Sequence, residues 1–291
     1  MGFPVSRFFV ARFRLVKCTL TSGNVRVSEA FLELEQINVW RGDDAEVAAL
    51  ADVTLRLKTG ESVAVLGPNG SGKSTLLKLL TGALRPEVKD GSSCRLFGDK
   101  FWSIDELRHR IGVVMPEEVA RFEPHEVAFD VVLSAFRGAY GRTREMRFSR
   151  KERVAASRAV DRMGIDGLID REFGALSSGE RRRFLIARAL AHDPEVLVLD
   201  EPSTALDFAA SAELGSTLRE LIGCGHTLVL VTHDPGEIPP EIARVIMLKE
   251  GRVMADGSSR KLLKSARLTE LYGLPLRARW SRGWCEVRAE D

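Results

Sequence analysis

Residues 62–75 read SVAVLGPNGSGKST, and they give the clearest indication of the fold. Residues 62–66 form a short, almost continuous apolar run, which is typical of a central parallel strand. Residues 67–74 then match the pattern G-x-x-x-x-G-K-S/T, and residues 76–80 have the apolar period of a helix. A glycine-rich turn between a strand and a helix is the pattern of a phosphate-binding loop. We therefore expect an α/β core that holds a triphosphate.

In such a loop the glycines let successive backbone N–H groups turn toward the β-phosphate, and the helix start adds positive charge. Lys73 is placed to neutralise the β- and γ-phosphates, and the Ser74 hydroxyl to ligate Mg²⁺. The residues that we predict to bind the nucleotide in this loop are Gly67, Pro68, Asn69, Gly70, Ser71, Gly72, Lys73, Ser74 and Thr75.

A second apolar run, residues 196–199, ends in two carboxylates, Asp200 and Glu201. Many strands end in solvated acids, so the pair becomes specific only in combination with the phosphate-binding loop. At the C-terminal edge of a strand, Asp200 is placed to hold Mg²⁺ through water. Glu201 is then the general base that polarises the attacking water.

Strand patterns recur at residues 31–35, 53–57, 227–231 and 244–248, and helical patterns at 130–136 and 151–163. Strands that alternate with helices indicate an α/β core with a mostly parallel sheet. The chain has 291 residues, of which 44% are hydrophobic, and a formal charge of +2, which is too small to argue for nucleic acid. No apolar run approaches the roughly 18–20 residues of a membrane-spanning helix, so we expect any membrane crossing to be made by another chain.

Residues 176–180 read LSSGE and precede a basic helix at 181–190. Here the sequence resembles the ATP-binding cassette family, whose signature is usually written LSGGQ and lies just ahead of the Asp-Glu strand. The resemblance implies that two copies pack head to tail, with each ATP between one chain's phosphate-binding loop and the other chain's signature. The alternative is that the pentapeptide only caps a surface helix. The signature residues expected to contact ATP are Ser177, Ser178, Gly179 and Glu180.

The resemblance extends to three further positions. Asp207 lies where the family's D-loop crosses the dimer interface. His233 matches the histidine that contacts the γ-phosphate and orients the water near Glu201. Trp40 matches the aromatic residue that stacks on adenine, although a tryptophan half-buried in the core is the competing interpretation.

One position departs from the family pattern. After the short strand at 111–115 the family normally supplies a glutamine that reaches Mg²⁺ and the lytic water, but this chain continues with Pro116, Glu117 and Glu118. Either Glu117 or Glu118 takes the place of the glutamine, or neither does and both are solvated. A carboxylate there would hold Mg²⁺ more strongly than an amide and would oppose nucleotide binding without the metal.

The resemblance also implies a domain organisation. We expect a RecA-like P-loop core, a small N-terminal antiparallel β subdomain and an inserted α-helical subdomain that carries the signature. The domain is placed at residues 31–250, with the helical insertion at about 104–174, and residues 251–291 are expected to pack on it or extend it. Residues 1–30 form a basic extension that we expect to be disordered.

The function implied is that of the ATP-hydrolysing subunit of a membrane transporter, with ATP and Mg²⁺ as cofactors. Such a subunit would be a cytoplasmic homodimer on the inner face of the membrane, docked on a separate transmembrane permease, and a substrate-binding protein could complete the assembly. Residues 236–241 and 268–273 resemble importer-type members associated with iron and molybdate. The alternative is a soluble cassette ATPase that acts on nucleic acid or ribosomes. Those relatives usually have two cassettes or a long coiled-coil insertion, which this sequence lacks, so we expect no direct nucleic-acid contact.

Overall fold

The structure is a computed structural model that describes residues 29–40, 48–86 and 89–290. The expected basic extension therefore lies, up to residue 28, outside the described residues. The strands are β1 (Ala30–Trp40), β2 (Ala48–Lys58), β3 (Val63–Leu66), β4 (Ser93–Leu96), β5 (Ile111–Val114), β6 (Val196–Asp200), β7 (Thr227–Thr232), β8 (Arg244–Lys249), β9 (Arg252–Ser258), β10 (Leu276–Ser281) and β11 (Trp284–Ala289). The α-helices are α1 (Lys73–Leu80), α2 (Ile104–Arg110), α3 (Ala128–Leu133), α4 (Arg150–Arg162), α5 (Ser178–Leu190), α6 (Phe208–Gly223), α7 (Ser259–Leu262) and α8 (Ser265–Tyr272).

The central sheet has the strand order β5-β6-β7-β3-β8-β9. Its first five strands are parallel, and β9 is antiparallel to β8 at the edge. All residues of β3 and β7 are buried because helices or the second sheet cover both faces, which explains their continuous apolar sequences. The predicted α/β class with a mostly parallel sheet is confirmed.

A second, antiparallel sheet of order β2-β1-β4 covers one face of the central sheet. The alternating pattern of residues 31–35 reflects the position of β1 between β2 and β4. Leu34 of β1, Leu55 of β2 and Cys94 of β4 are buried in one apolar core with Val65 of β3. The expected N-terminal antiparallel subdomain is thus present.

The helical region begins later than residue 104, where the sequence placed it. Residues 111–114 form β5, which pairs in parallel with β6 through Ile111 and Val196, so that β5 belongs to the central sheet and α2 is the helix just before it. The short strand that the sequence indicated at 111–115 is thus present, and the helices of the insertion follow it. Helices α3, α4 and α5 then share a core that includes Val131, Val132, Ala156, Val160, Phe184 and Leu185.

The C-terminal segment packs on the rest of the domain. Leu268 and Leu271 of α8 are buried in the same core as the central sheet. Strands β10 and β11 form a hairpin, and the Trp284 ring lies against Gly215 of α6, 3.2 Å from the position of a Cβ there. In the part of the chain that the structure describes, no helix is both long enough and apolar enough to cross a membrane.

Candidate nucleotide-binding site

The C-terminal ends of neighbouring parallel strands bring the predicted site residues to one edge of the sheet. The phosphate-binding loop follows β3, Asp200 and Glu201 close β6, and His233 follows β7. Strands β6 and β7 are hydrogen-bonded neighbours, and β7 pairs with β3. This edge is where ligands bind in open α/β sheets.

At two positions of the phosphate-binding loop, any side chain larger than that of glycine would clash with neighbouring backbone atoms. A Cβ on Gly67 would lie 2.4 Å from the backbone oxygen of Leu248, and one on Gly72 would lie 2.7 Å from that of Ala49. Gly72 also has a φ of 104°, in the left-handed region, immediately before α1. The loop therefore packs against the rest of the core through bare backbone.

Lys73 is buried at the first turn of α1. Its Nζ donates hydrogen bonds to the backbone oxygens of Gly67 (2.8 Å) and Pro68 (3.1 Å) and lies 3.8 Å from Glu201 Oε1. Burial lowers the pKa of Lys73, whereas the carboxylates of Glu201 and Asp200 act to raise it. The ammonium group is thus held inside the loop, where an anionic phosphate would complement it.

A pocket joins the phosphate-binding loop to the ends of β5 and β6. Its lining residues are Asn69, Gly70, Gly72, Lys73, Ser74, Thr75, Pro116, Glu117, Asp200 and Glu201. Burial raises the pKa of Asp200 to about 6, and the negative charges of Glu201 and Glu117 add to that increase, whereas Lys73 opposes it. The carboxylate therefore lies where a cation would stabilise its charged form.

The oxygen donors of this pocket fit Mg²⁺. Mg²⁺ is usually held by one or two carboxylates together with phosphate oxygens and waters. Ser74 and Asp200 line this pocket together with the phosphate-binding loop, and they supply a hydroxyl and a carboxylate, which are donors that this coordination uses.

Glu201 and His233 are paired at the mouth of the pocket. The Nδ1 atom of His233 lies 3.2 Å from Glu201 Oε1, and the His233 side chain is half-exposed. Glu201 has a φ of 43°, and its backbone N–H donates to the oxygen of Val231 at 2.8 Å. That hydrogen bond fixes Glu201 to β7, the strand that precedes His233.

The two adjacent glutamates after β5 have different environments. Glu117 lines the pocket, whereas Glu118 is buried and points away from it. The Glu118 carboxylate accepts hydrogen bonds from Met115 N (3.1 Å) and from the Tyr140 hydroxyl (3.2 Å), and it lies 3.7 Å from Arg188 Nη1. The alternative in which Glu118 replaces the glutamine is wrong, and so is a solvated Glu118.

The signature residues begin helix α5 on the surface. The Ser177 hydroxyl accepts from Glu180 N at 3.2 Å, and the Glu180 carboxylate accepts from Ser177 N at 2.8 Å, which forms a capping box. The backbone N–H of Ser177 contributes most to the lowered pKa of Glu180. A Cβ on Gly179 would lie 2.9 Å from Ala210 Cβ, so the helix start packs closely on α6. Neither these residues nor Ser178 lines the pocket of their own chain.

Asp207 and Trp40 also lie outside that pocket. Asp207 caps α6 by accepting a hydrogen bond from Ala210 N at 2.8 Å, and it is exposed. Trp40 ends β1 and is 45% exposed, so the adenine-stacking role and the half-buried alternative both stay predictions.

Sequence reasoning missed two contacts to these site loops. Arg182 of α5 donates to the backbone oxygen of Met115 at 3.4 Å, just before Glu117. Tyr272 donates its hydroxyl hydrogen to the backbone oxygen of His233 at 2.6 Å. The basic run after the signature was a signal for the first contact, but no local pattern marks Tyr272.

A phosphate-binding loop beside two carboxylates, at the C-terminal edge of a mostly parallel sheet, defines a P-loop nucleoside triphosphatase. Residues 50–204 match the model of the ABC transporter family. The chain belongs to the ABC transporter family.

Relatives share both sequence and fold with this chain. The cobalt import ATP-binding protein CbiO of Rhodobacter capsulatus is 37% identical over 221 residues, which cover 75% of this chain and 75% of that protein. The sulfate/thiosulfate import ATP-binding protein CysA of Mesorhizobium japonicum is 36% identical over 244 residues, which cover 83% of this chain and 68% of that protein.

Two solved structures extend the comparison. The structure of cbiO1 from Clostridium perfringens, part of the ABC transporter complex cbiONQ, has a TM-score of 0.70 at 30% identity and covers 83% of this chain and 94% of that one. A dimeric, post-hydrolysis cassette, MJ0796 bound to ADP and Pi, has a TM-score of 0.64 at 28% identity, covering 79% and 99% of the two chains. The chain is therefore an ATP-binding, ATP-hydrolysing subunit of an ABC transporter, and the nucleic-acid alternative is not supported.

Proposed function

We propose that two copies of this chain close head to tail around two Mg-ATP and that this motion drives a separate membrane permease. The observation that carries the proposal is that the signature residues lie apart from the nucleotide pocket of their own chain. Lys73, Ser74, Asp200 and Glu201 line one pocket, whereas Ser177 lies at an exposed helix start outside it. A helix start favours an anion, and a second chain could bring it over the γ-phosphate.

Within this proposal each residue has a chemical role. Lys73 and the loop N–H groups hold the β- and γ-phosphates. Ser74 and Asp200 would hold Mg²⁺, which when bound would neutralise phosphate charge. Glu201 accepts a proton from the attacking water as the water oxygen bonds to the γ-phosphorus, while the bond from that phosphorus to the bridging oxygen breaks and ADP leaves. His233, 3.2 Å from Glu201, orients that water and contacts the γ-phosphate. Trp40 stacks on adenine, and Asp207 lies at the dimer interface.

Glu117 is the residue that we propose in place of the missing glutamine. It is the one acid of the 117–118 pair that lines the pocket, beside Ser74 and Asp200. Glu117 follows Met115 by two positions, and the backbone oxygen of Met115 accepts a hydrogen bond from Arg182 of α5, the helix that the signature begins. The loop thus connects one chain's nucleotide pocket to the helix that would face the other nucleotide.

The setting that we propose is the cytoplasmic face of a membrane, with the helical region docked on the permease. The similar proteins include import subunits for cobalt and for sulfate or thiosulfate, and cbiO1 is part of a transporter complex. Their similarity favours import over export. Purification of the tagged chain from membranes should yield a hydrophobic permease, and co-sedimentation with ribosomes instead would contradict this setting.

Dimer closure is tested by Glu201→Gln at saturating Mg-ATP. The variant retains the carbonyl oxygen but loses the basic oxygen, so ATP should remain bound and hold two chains together. Light scattering should report a dimer with Mg-ATP and a monomer without nucleotide. The double variant Glu201→Gln/Lys73→Ala is the control and should stay monomeric. A persistent Glu201→Gln monomer under ATP would count against the head-to-tail mechanism.

A further inference from the structure

The His233 loop, residues 232–237, holds most of its own backbone in place. Asp234 N donates to Thr232 Oγ1 at 3.0 Å, and Gly236 N donates to Asp234 Oδ1 at 2.7 Å. The Thr232 hydroxyl in turn donates to Glu237 Oε2 at 2.7 Å. These bonds fix the loop on both sides of His233, but none of them involves the His233 backbone oxygen.

That oxygen is bound from the C-terminal segment. The Tyr272 hydroxyl donates to His233 O at 2.6 Å, a contact between residues 39 positions apart. Tyr272 is the last residue of α8, and Gly273 follows with a φ of 72°, which ends the helix in a left-handed cap. Burial and the Asp234 charge raise the pKa of Tyr272 well above its usual range, so the hydroxyl keeps its proton and remains a donor.

Helix α8 is a rigid support for this contact. Its residues Leu268 and Leu271 are buried, and Lys249 of β8 donates to the backbone oxygen of Glu270 at 2.5 Å. The Ser265 hydroxyl accepts from Ala278 N at 2.9 Å, which fastens the start of α8 to strand β10. A hydrogen bond from an anchored helix restricts the atom that it reaches more than one from a mobile side chain would.

We infer that Tyr272 is a positioning residue for ATP hydrolysis, whose hydroxyl holds the His233 backbone so that the imidazole stays beside Glu201. The inference rests on the proposed role of His233. His233 makes both contacts itself. Its backbone oxygen accepts from the Tyr272 hydroxyl, and its Nδ1 atom lies 3.2 Å from Glu201 Oε1. The competing explanation is that the bond only fastens the C-terminal segment.

Tyr272→Phe separates the two explanations because it deletes the hydroxyl and keeps the ring. We expect kcat for ATP to fall about fivefold, the effect of losing one positioning hydrogen bond, with KM for ATP unchanged. Ser265→Ala is the matched control, since it removes a hydrogen bond of the same segment that does not reach His233. The control should keep the wild-type kcat. An unchanged kcat in Tyr272→Phe, or an equal decrease in Ser265→Ala, would overturn the inference.

A double-mutant cycle tests whether Tyr272 acts through His233. His233→Ala should lower kcat strongly, and adding Tyr272→Phe to it should cause no further decrease. The same fivefold decrease in both backgrounds would overturn the inference while leaving the role of His233 intact. Full activity in His233→Ala would instead overturn the proposed role of His233 and the inference with it.

Imidazole NMR provides a readout that does not depend on activity. The chain has five histidines, so the His233 signal is assigned by its loss in His233→Ala. In Tyr272→Phe this signal should shift while the signals of the other histidines stay in place. An unshifted His233 signal would contradict the positioning role.

Discussion

Glu117 lines the phosphate pocket together with Asp200 and Glu201, so its negative charge should affect the binding of ATP. We predict that Glu117→Gln strengthens ATP binding without Mg²⁺ roughly fivefold, because removing one nearby negative charge is worth about 1 kcal/mol. With Mg²⁺ present the gain should shrink or reverse, since the carboxylate then faces a cation. Calorimetric titration of ATP in chelator and in excess Mg²⁺ measures both values.

Glu123→Gln is the control for that charge, because Glu123 is exposed and does not line the pocket. It should bind ATP as the wild type does in both conditions. If Glu117→Gln also matches the wild type at every Mg²⁺ concentration, Glu117 has no part in the metal or nucleotide site.

The neighbouring residue, Glu118, is buried and stabilises the helical region through its contact with Arg188. Glu118 and Arg188 have side chains that are 8% and 12% exposed, and the Arg188 guanidinium also lies 5.0 Å from the centre of the Tyr140 ring. Glu118→Ala leaves that guanidinium buried without its carboxylate, so we predict a loss of about 3 kcal/mol in the free energy of unfolding. Denaturant unfolding measures it, and Glu117→Ala, which removes an exposed acid, should change stability by less than about 0.5 kcal/mol.

Two helices of the structure start with the same capping box. Ser149 and Glu152 form it at the start of α4, and Ser177 and Glu180 form it at the start of α5. In both helices the backbone N–H of the glutamate donates to the serine hydroxyl at 3.2 Å. Loss of a capping hydroxyl costs about 1 kcal/mol, so we predict similar decreases in stability for Ser149→Ala and Ser177→Ala.

The proposed contact with ATP should separate the two helix starts. We predict that Ser177→Ala lowers kcat severalfold and that Ser149→Ala leaves it unchanged. Steady-state ATPase measurements on both variants decide the matter. If both variants keep the wild-type kcat, the signature serine is only a cap, which is the alternative that the sequence left open.

The C-terminal segment, residues 251–290, contributes buried side chains to the main hydrophobic core of the molecule. Leu271 is 1% exposed among residues of the central core, whereas Leu274, three residues later, is 43% exposed. We predict that Leu271→Ala lowers the free energy of unfolding by about 3 kcal/mol, with one cooperative transition. Leu274→Ala should stay within about 0.5 kcal/mol of the wild type. Two separate transitions in calorimetry would show that α8 and the hairpin fold apart from the rest.

Contiguous patterns in the sequence indicated several central strands, the phosphate-binding loop and the carboxylates Asp200 and Glu201. The loop at 67–74 and the pair Asp200 and Glu201 each depend on neighbours in sequence, because a buried parallel strand and the turn after it are local structures. The same locality explains why the strands at 227–231 and 244–248 were predicted within one residue of their observed ends.

Which glutamate faces the pocket, and which residue holds His233, could be seen only in the folded chain. Residues 116–121 form a 3₁₀-helix, in which successive side chains point about 120° apart, so Glu117 and Glu118 reach different surroundings. The contact of Tyr272 with His233 spans 39 positions and depends on how α8 packs on the core. Such contacts leave no local pattern, because they arise from the folding of distant segments against each other.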